Sequence, residues 1–444
     1  MRRKALLGTL SVVVVLVAAL TTPGGSIRHA SAAHPDMVID WNLTMLSTFA
    51  TANVPPPPAS RDAAIVQAAV FDALNGIGER YTPIHVVAAG PAGASRQAAV
   101  VGAAYTALVS LFPGQKASLY SAYQTSLAAI ADDEGGDNPA IASGLDWGTT
   151  VAQQIIAWRA ADGFNTPPPP YVFGSAVGDW QPTPDAAGVP GSGPPKFRSL
   201  ATTTPFALTS PSQFRPAGPP ALTSARYAQD YNEVKALGGK TDSARNAYQT
   251  ETAKFWQLDT PVAIWDRVAD SLAEHHHNSL LKNARVLALV NIALADATIA
   301  IWDAKNAFNS WRPVTAINTV TGFGNPATSP DPGWLPLLAT PYFQEYPSAH
   351  SGVSSAAASI LASLFGENTE FTLTSAGLPA VVRTFDSFNA AVAQVADARV
   401  YAGFHFRFSC DDAIQMGAHV AAQVQVTLMR PIHGGSGNLG EQLE

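Results

Sequence analysis

Residues 283 to 305 read NARVLALVNIALADATIAIWDAK. Wound as a helix, this stretch is apolar on nearly every face, and a helix apolar all round belongs inside a bundle. It therefore predicts an all-α protein built of helical bundles, with this helix buried among the others. The stretch ends on Lys305, and Arg312-Pro313 follows. Proline disfavours helix at the residue before it, so two cations stand where the buried helix stops. By itself, such a pair has the simple role of complementing the helix dipole.

Outward toward the N-terminus, SRDAAIVQAAVFDALN (60–75) reads as a helix, with Ser60 as its cap after the run Pro55 to Pro58. Ala-rich helical patterns follow at about 95–112, 115–132 and 138–162. Residues 33–163 thus form an N-terminal helical region, with no titratable cluster that suggests chemistry. Between 164 and 222 the composition turns to Pro, Gly, Ser and Thr, interspersed with Tyr171, Phe173, Trp180, Phe197, Phe206 and Phe214. The aromatics predict a loop that wraps on the body of the protein.

Helical patterns resume at Ser224. Asp242 or Ser243 is the expected cap of a segment running to about Trp256, and a further helix crosses Trp265 to His277. His275-His276-His277 invites a zinc reading, but adjacent helical residues point about 100 degrees apart and do not chelate together. A solvated helix end is the expectation there.

Toward the C-terminus, helices are expected at His350 to Phe365, about 386–402 and about 410–429. They make 223–430 a C-terminal helical bundle, the candidate for a catalytic one by the residues below, and leave 431–444 as a loose tail. Pro347-Ser348 precedes an Ala-rich helix, so Ser348 stands at an N-cap and the N–H groups of Ala349, His350 and Ser351 face an anion site. Arg399, in ADARVYAGFHFRF (396–408), lies in surroundings too apolar for an unpaired guanidinium. Its partner is expected to be Asp386, Asp397 or a bound ligand. His405 follows six residues later, on a different helical face unless Gly403 breaks the helix. Ser409 and Asp412 read as a capping box opening the last helix.

The 444 residues are 47% hydrophobic and only 13% charged, with a formal net charge of -7, so no basic face for nucleic acid is on offer. Cys410 is the single cysteine, which excludes an internal disulfide and multi-thiolate metal sites. Arg2-Arg3-Lys4, the apolar run Ala5 to Leu20 and Ala30-Ser31-Ala32 read as a signal peptide over 1–32. The processed protein is expected to be soluble, secreted or extracytoplasmic, and without a stable membrane anchor. No later segment combines the length, apolarity and flanks of a membrane span.

Taken in order, Lys305-x6-Arg312-Pro313, Pro347-Ser348-x-His350 and Arg399-x5-His405 resemble the superfamily of vanadium-dependent haloperoxidases and histidine-type (PAP2-like) acid phosphatases. WDAKNAFNSWRPVTAIN (302–318) and YFQEYPSAHSG (342–352) look like its secreted bacterial haloperoxidase-like members, as do ASRDAAIVQAAVFDALNGI (59–77) and DYNEVKALG (230–238). The likeness runs from about Val54 to Arg430.

The resemblance implies a helical fold with an oxyanion site in the C-terminal bundle. Lys305, Arg312, Arg399, Ser348 and the backbone N–H of Ala349 would hold vanadate or phosphate there. His405 would be the axial vanadium ligand or the phosphatase nucleophile, and His350 the acid-base group. Trp302 and Phe343 match positions on the halide side of some fungal chloroperoxidases, or serve as core aromatics. Three readings stay open: a vanadate-dependent haloperoxidase using H2O2 and halide, a phosphomonoester hydrolase with a phosphohistidine intermediate, or an oxyanion-binding protein with little turnover. The chain departs from the family pattern at Ala349, where glycine is common, at Ala398, where serine is, and at Ser409, where an acidic residue is expected, with Asp411 and Asp412 just beyond.

Overall fold

The computed structural model describes residues 36–136 and 138–432. Expectations for 1–32, and for the tail from 433 onward, lie outside the described residues. The N-terminal region holds α1 (Met37–Ala52), α2 (Pro56–Gly78), α3 (Arg96–Leu111), α4 (Lys116–Glu134) and α5 (Pro139–Ala160). After a long irregular segment come α6 (Ala225–Gly238), α7 (Ala247–Gln257), α8 (Pro261–His275), α9 (Leu280–Phe308) and α10 (Pro313–Asn318). Then follow α11 (Ala349–Phe365), the strands β1 (Phe371–Ser375) and β2 (Leu378–Phe385), α12 (Phe388–Tyr401) and α13 (Arg407–Thr427). Among the described residues the protein is all-α apart from that hairpin.

By length and composition α9 would cross a bilayer, yet 94% of its most apolar window is buried inside the protein. It is enclosed by α2, α8, α11 and α13. One apolar core runs through all of them, from Met37 on α1 to Met429 beyond α13, so the N-terminal helices and the C-terminal bundle share a single interior. Close helix approach in it depends on glycine: a Cβ on Gly417 of α13 would sit 2.1 Å from the Gly352 carbonyl of α11.

The segment 164–222 wraps as its aromatics require. Trp180 is fully buried, and a short 3-10 turn at Arg198–Thr202 is its one regular piece among the described residues. Asp296, deep in α9, fastens it: Oδ1 accepts from the Phe206 N–H at 2.7 Å, and Oδ2 from Ala207 and Leu208 at 2.8 and 3.1 Å.

Four local expectations need correction. Helix α2 begins at Pro56, because prolines fit a first turn that needs no N–H donors; Ser60 lies inside the helix, bonded to the Pro56 carbonyl. Helix α7 is capped by Asn246 in a reciprocal box with Gln249, while Asp242 sits in a turn with φ 51. Helix α13 opens at Arg407, so Ser409 falls within its first turn. The hairpin was missed, although FTLTS (371–375) alternates buried and exposed residues as a strand should. His275, His276 and His277 are exposed at the end of α8, and among the described residues no group of three or more His, Cys, Asp or Glu is placed to hold a metal.

Candidate active site

Helix ends converge on one point. Lys305 lies in the last turn of α9, Arg312 is the N-cap of α10, Ser348 caps α11, and Arg399 lies in the last turn of α12. Past α12 the chain turns at Gly403, whose φ of 81 suits glycine and whose absent side chain leaves room for the Gly238 carbonyl, 2.6 Å from where a Cβ would be. That turn delivers His405 back toward Arg312. Lys305, Arg312, Arg399 and Ser348 are each 0% exposed and His405 1%, while His350 is half-buried.

The cations are held mostly by backbone carbonyls. Lys305 Nζ donates to the Gln344 and Glu345 carbonyls, both at 2.8 Å. Arg312 Nε donates to the Phe343 carbonyl at 2.8 Å, and Nη1 to the Phe404 carbonyl at 3.1 Å, with His405 Nε2 also 3.1 Å away. Arg399 Nη1 donates to Gln257 Oε1 at 2.8 Å. Neither expected carboxylate pairs with Arg399: Asp397 binds Arg407 at 2.7 Å and Asp386 is exposed. Arg312 Nη2 and Arg399 Nε and Nη2 are buried without an acceptor among the described residues.

Glu345 is the residue that sequence reasoning missed. Its Oε1 lies 2.8 Å from His405 Nδ1 and accepts the Phe406 N–H at 3.2 Å. The expected acid four residues beyond His405 is replaced in space by one 60 residues earlier in the chain. Ser409 Oγ stands 3.4 Å from the same Nδ1, Asp411 pairs with Arg226, and Asp412 takes the Tyr346 hydroxyl at 2.6 Å. Because Oε1 already accepts the Phe406 N–H and Arg312 Nη1 points a proton at Nε2, His405 carries its hydrogen on Nδ1 and a lone pair on Nε2.

Burial dominates the electrostatics. It pushes Glu345 up to about 7 against the pull of Arg312 and Lys305. It pushes Arg312 down to about 10, Arg399 to about 9, and Lys305 well below the usual ammonium range. His405 and His350 are driven well below the usual imidazole value, first by burial and then by these cations. Three cations against the one carboxylate of Glu345 leave a formal excess of two positive charges in a closed interior, an unfavourable state without an anion.

The donor set fits an oxyanion such as vanadate. Three unpartnered guanidinium nitrogens, the N-terminal turn of the 17-residue α11 and one imidazole lone pair present what a multiply charged oxyanion needs. Ser348 Oγ makes no capping bond and instead shares a hydrogen bond with Ser351 Oγ at 3.0 Å, while its backbone N–H reaches the Ser409 carbonyl at 3.0 Å. Phe343 covers the cradle, its ring centroid 5.3 Å from Lys305 Nζ and 5.0 Å from Arg312 Cζ. A cavity of about 140 Å³ adjoins His350 and Ala349, and both Trp302 and Phe343 line it.

The VCPO second helical-bundle domain matches residues 285–434. The vanadium chloroperoxidase of Curvularia inaequalis is 30% identical over 168 residues, an alignment covering 30% of this chain and 27% of that protein. This chain thus spans about a quarter of its curated relative. A bacterial vanadium-dependent iodoperoxidase shares the fold with a TM-score of 0.75 at 25% identity, over 89% of this chain and 97% of the other. The apo form of a bacterial vanadium-dependent chloroperoxidase has a TM-score of 0.66 at 18% identity, over 84% and 93% of the two chains.

Proposed function

We propose that this chain, which belongs to the superfamily of vanadium-dependent haloperoxidases and histidine-type acid phosphatases, oxidises halide with H2O2 at a vanadate held by His405. One observation carries the reading: three unpartnered guanidinium nitrogens of Arg312 and Arg399 are buried around a histidine whose Nε2 presents a lone pair. The likeness to an iodoperoxidase over 89% of the chain supports it.

Bound vanadate supplies a Lewis-acid centre for activating peroxide toward halide. Arg312, Arg399 and Lys305 would neutralise the charge on its oxygens, and the N-terminal turn of α11 after Ser348 would offer backbone N–H groups to it. Glu345 would fix the His405 ring with its hydrogen on Nδ1, so that Nε2, beside Arg312 Nη1, carries the lone pair that would meet the vanadate. His350, at the border of cradle and cavity, has its basicity lowered by burial and the neighbouring cations, so its neutral imidazole would be the acid-base group available to a peroxide entering there.

The test compares two assays on purified protein. With orthovanadate, H2O2 and bromide or iodide, a phenolic dye is halogenated or triiodide accumulates. Without vanadate, p-nitrophenyl phosphate is not turned over briskly. The reverse outcome, vanadate-inhibited hydrolysis with no halide oxidation at any vanadate concentration, establishes the phosphatase instead. Stabilisation by vanadate with neither activity establishes an oxyanion-binding protein.

A further inference from the structure

The cavity beside His350 has walls from three distant parts of the chain. Pro57 comes from the first turn of α2, Phe197 from the wrapping loop, Trp302 and Phe343 from either side of the cradle, and Val353 from α11. The three rings form one mutually tilted wall. Trp302 and Phe343 centroids are 5.0 Å apart at 53°, and Phe197 lies 6.3 Å from Trp302 and 6.4 Å from Phe343. Phe197 takes a φ of 61, an uncommon conformation for a bulky residue, and this places its backbone at the start of the 3-10 turn.

The volume of about 140 Å³ sets the scale. Apolar protein cavities of about 150 Å³ take up benzene, so a single six-membered ring fits and a fused pair does not. Polar handles are few. The Thr298 hydroxyl is committed to the Leu294 carbonyl at 2.8 Å, that of Ser60 to the Pro56 carbonyl at 3.2 Å, and Gln257 Oε1 to Arg399. His350 and the Gln257 amide N–H are left as the groups that can meet a hydroxyl entering with the ring, and of the two the His350 imidazole is the one that can accept from it.

We infer that this cavity binds the organic acceptor itself, and that the acceptor is a single-ring phenol held edge or face against Trp302 and Phe197 with its hydroxyl on His350. The inference rests on the haloperoxidase reading for the source of halogen. Hypohalous acid formed at the cradle meets the ring before leaving: a C–H bond is exchanged for C–X, the ring loses a proton, and water is the other product (ArH + HOX → ArX + H2O). The bound phenol donates its hydroxyl hydrogen bond to the neutral imidazole, which enriches the ring in electron density.

The test uses phenol and 1-naphthol as probes. Calorimetry on vanadate-free protein is expected to show one phenol bound per chain, with Val353→Phe weakening it by about tenfold or more and Phe197→Ala admitting 1-naphthol. Orthovanadate should still raise the melting temperature of both variants, which shows that fold and cradle persist. In the loaded protein, halogenation should favour phenol over 1-naphthol by about tenfold relative to reagent hypohalous acid in free solution, and Phe197→Ala should reverse that preference. A product ratio equal to the free reagent, with no phenol binding, overturns the inference and leaves the haloperoxidase reading intact wherever triiodide is formed. Phenol binding that responds to Val353→Phe, with no halide oxidation at any vanadate level, keeps the pocket and removes that reading.

Discussion

His405 Nδ1 and Glu345 Oε1 lie 2.8 Å apart, joined across 60 residues of chain in a fully enclosed setting. The pair favours the tautomer with its hydrogen on Nδ1, which leaves the lone pair on Nε2, 3.1 Å from Arg312 Nη1. Groups that orient a metal-ligating histidine typically contribute 10–100-fold in affinity. Glu345→Leu is therefore expected to weaken orthovanadate binding by about 10–100-fold, read as a shift of the midpoint in a thermal-stabilisation titration. Glu345→Gln, which keeps an acceptor oxygen, is expected to lose less. Unchanged affinity in both variants would strip Glu345 of its positioning role.

Gln257 meets Arg399 with a neutral oxygen, which leaves the cradle's positive excess undiminished. Gln257→Glu puts a carboxylate of the same reach at that point. Oxyanion affinity is expected to fall by about tenfold or more, equivalent to about 1.4 kcal/mol. Equilibrium titration with orthovanadate, and separately with inorganic phosphate, measures it. An increase in affinity would show that the charge of the cradle does not govern binding.

Asp270 sits in a polar seam of the core, where Oδ2 accepts from Asn42 at 2.9 Å. Burial pushes its carboxyl up from 3.8 to about 7. A folded-state value above the unfolded one means the folded protein holds the proton longer. The contribution is thus fully present below about 3.8 and lost as pH rises through about 7. Asp270→Asn is expected to flatten the stability profile across that window and to be more stable than the parent above it. Urea unfolding at a series of pH values tests this; parallel profiles for variant and parent would refute it.

Asp296 binds three consecutive backbone N–H groups of the wrapping segment. Asp296→Ala leaves those donors buried and unmatched, a loss on the order of 3 kcal/mol. The expected signs are a lower urea midpoint and faster proteolysis within 164–222 than elsewhere. Unaltered protection of that segment would mean that its aromatics alone hold it.

Much of this architecture is legible in sequence because it is local. The 283–305 stretch declares a buried helix by its composition, and the cations and histidines of the cradle are marked by the helix-ending Pro313, Pro347 and Gly403 beside them. Glu345 and Gln257 carry no such mark. Glu345 lies in an irregular segment, and Gln257 is 142 residues from Arg399, so only the folded chain reveals what each faces. Ser60 and Asp242 show a related limit. Both are chemically good caps, but a proline-filled first turn and the Asn246–Gln249 box settle those helix starts elsewhere.

Pro57 and Phe197 reach the cavity from outside the span 305–405 that carries the whole anion cradle. Part of the cavity wall is thus written in stretches of the gene that carry none of the cradle, while Phe343, His350 and Val353 belong to the same span as the cradle. Substitutions in the prolines of α2 or in the wrapping segment can retune which molecule is received while leaving the cradle's charges untouched. The matched domain 285–434 holds every charged group of the cradle, yet Pro57, Phe197 and the Gln257 that meets Arg399 all lie outside it.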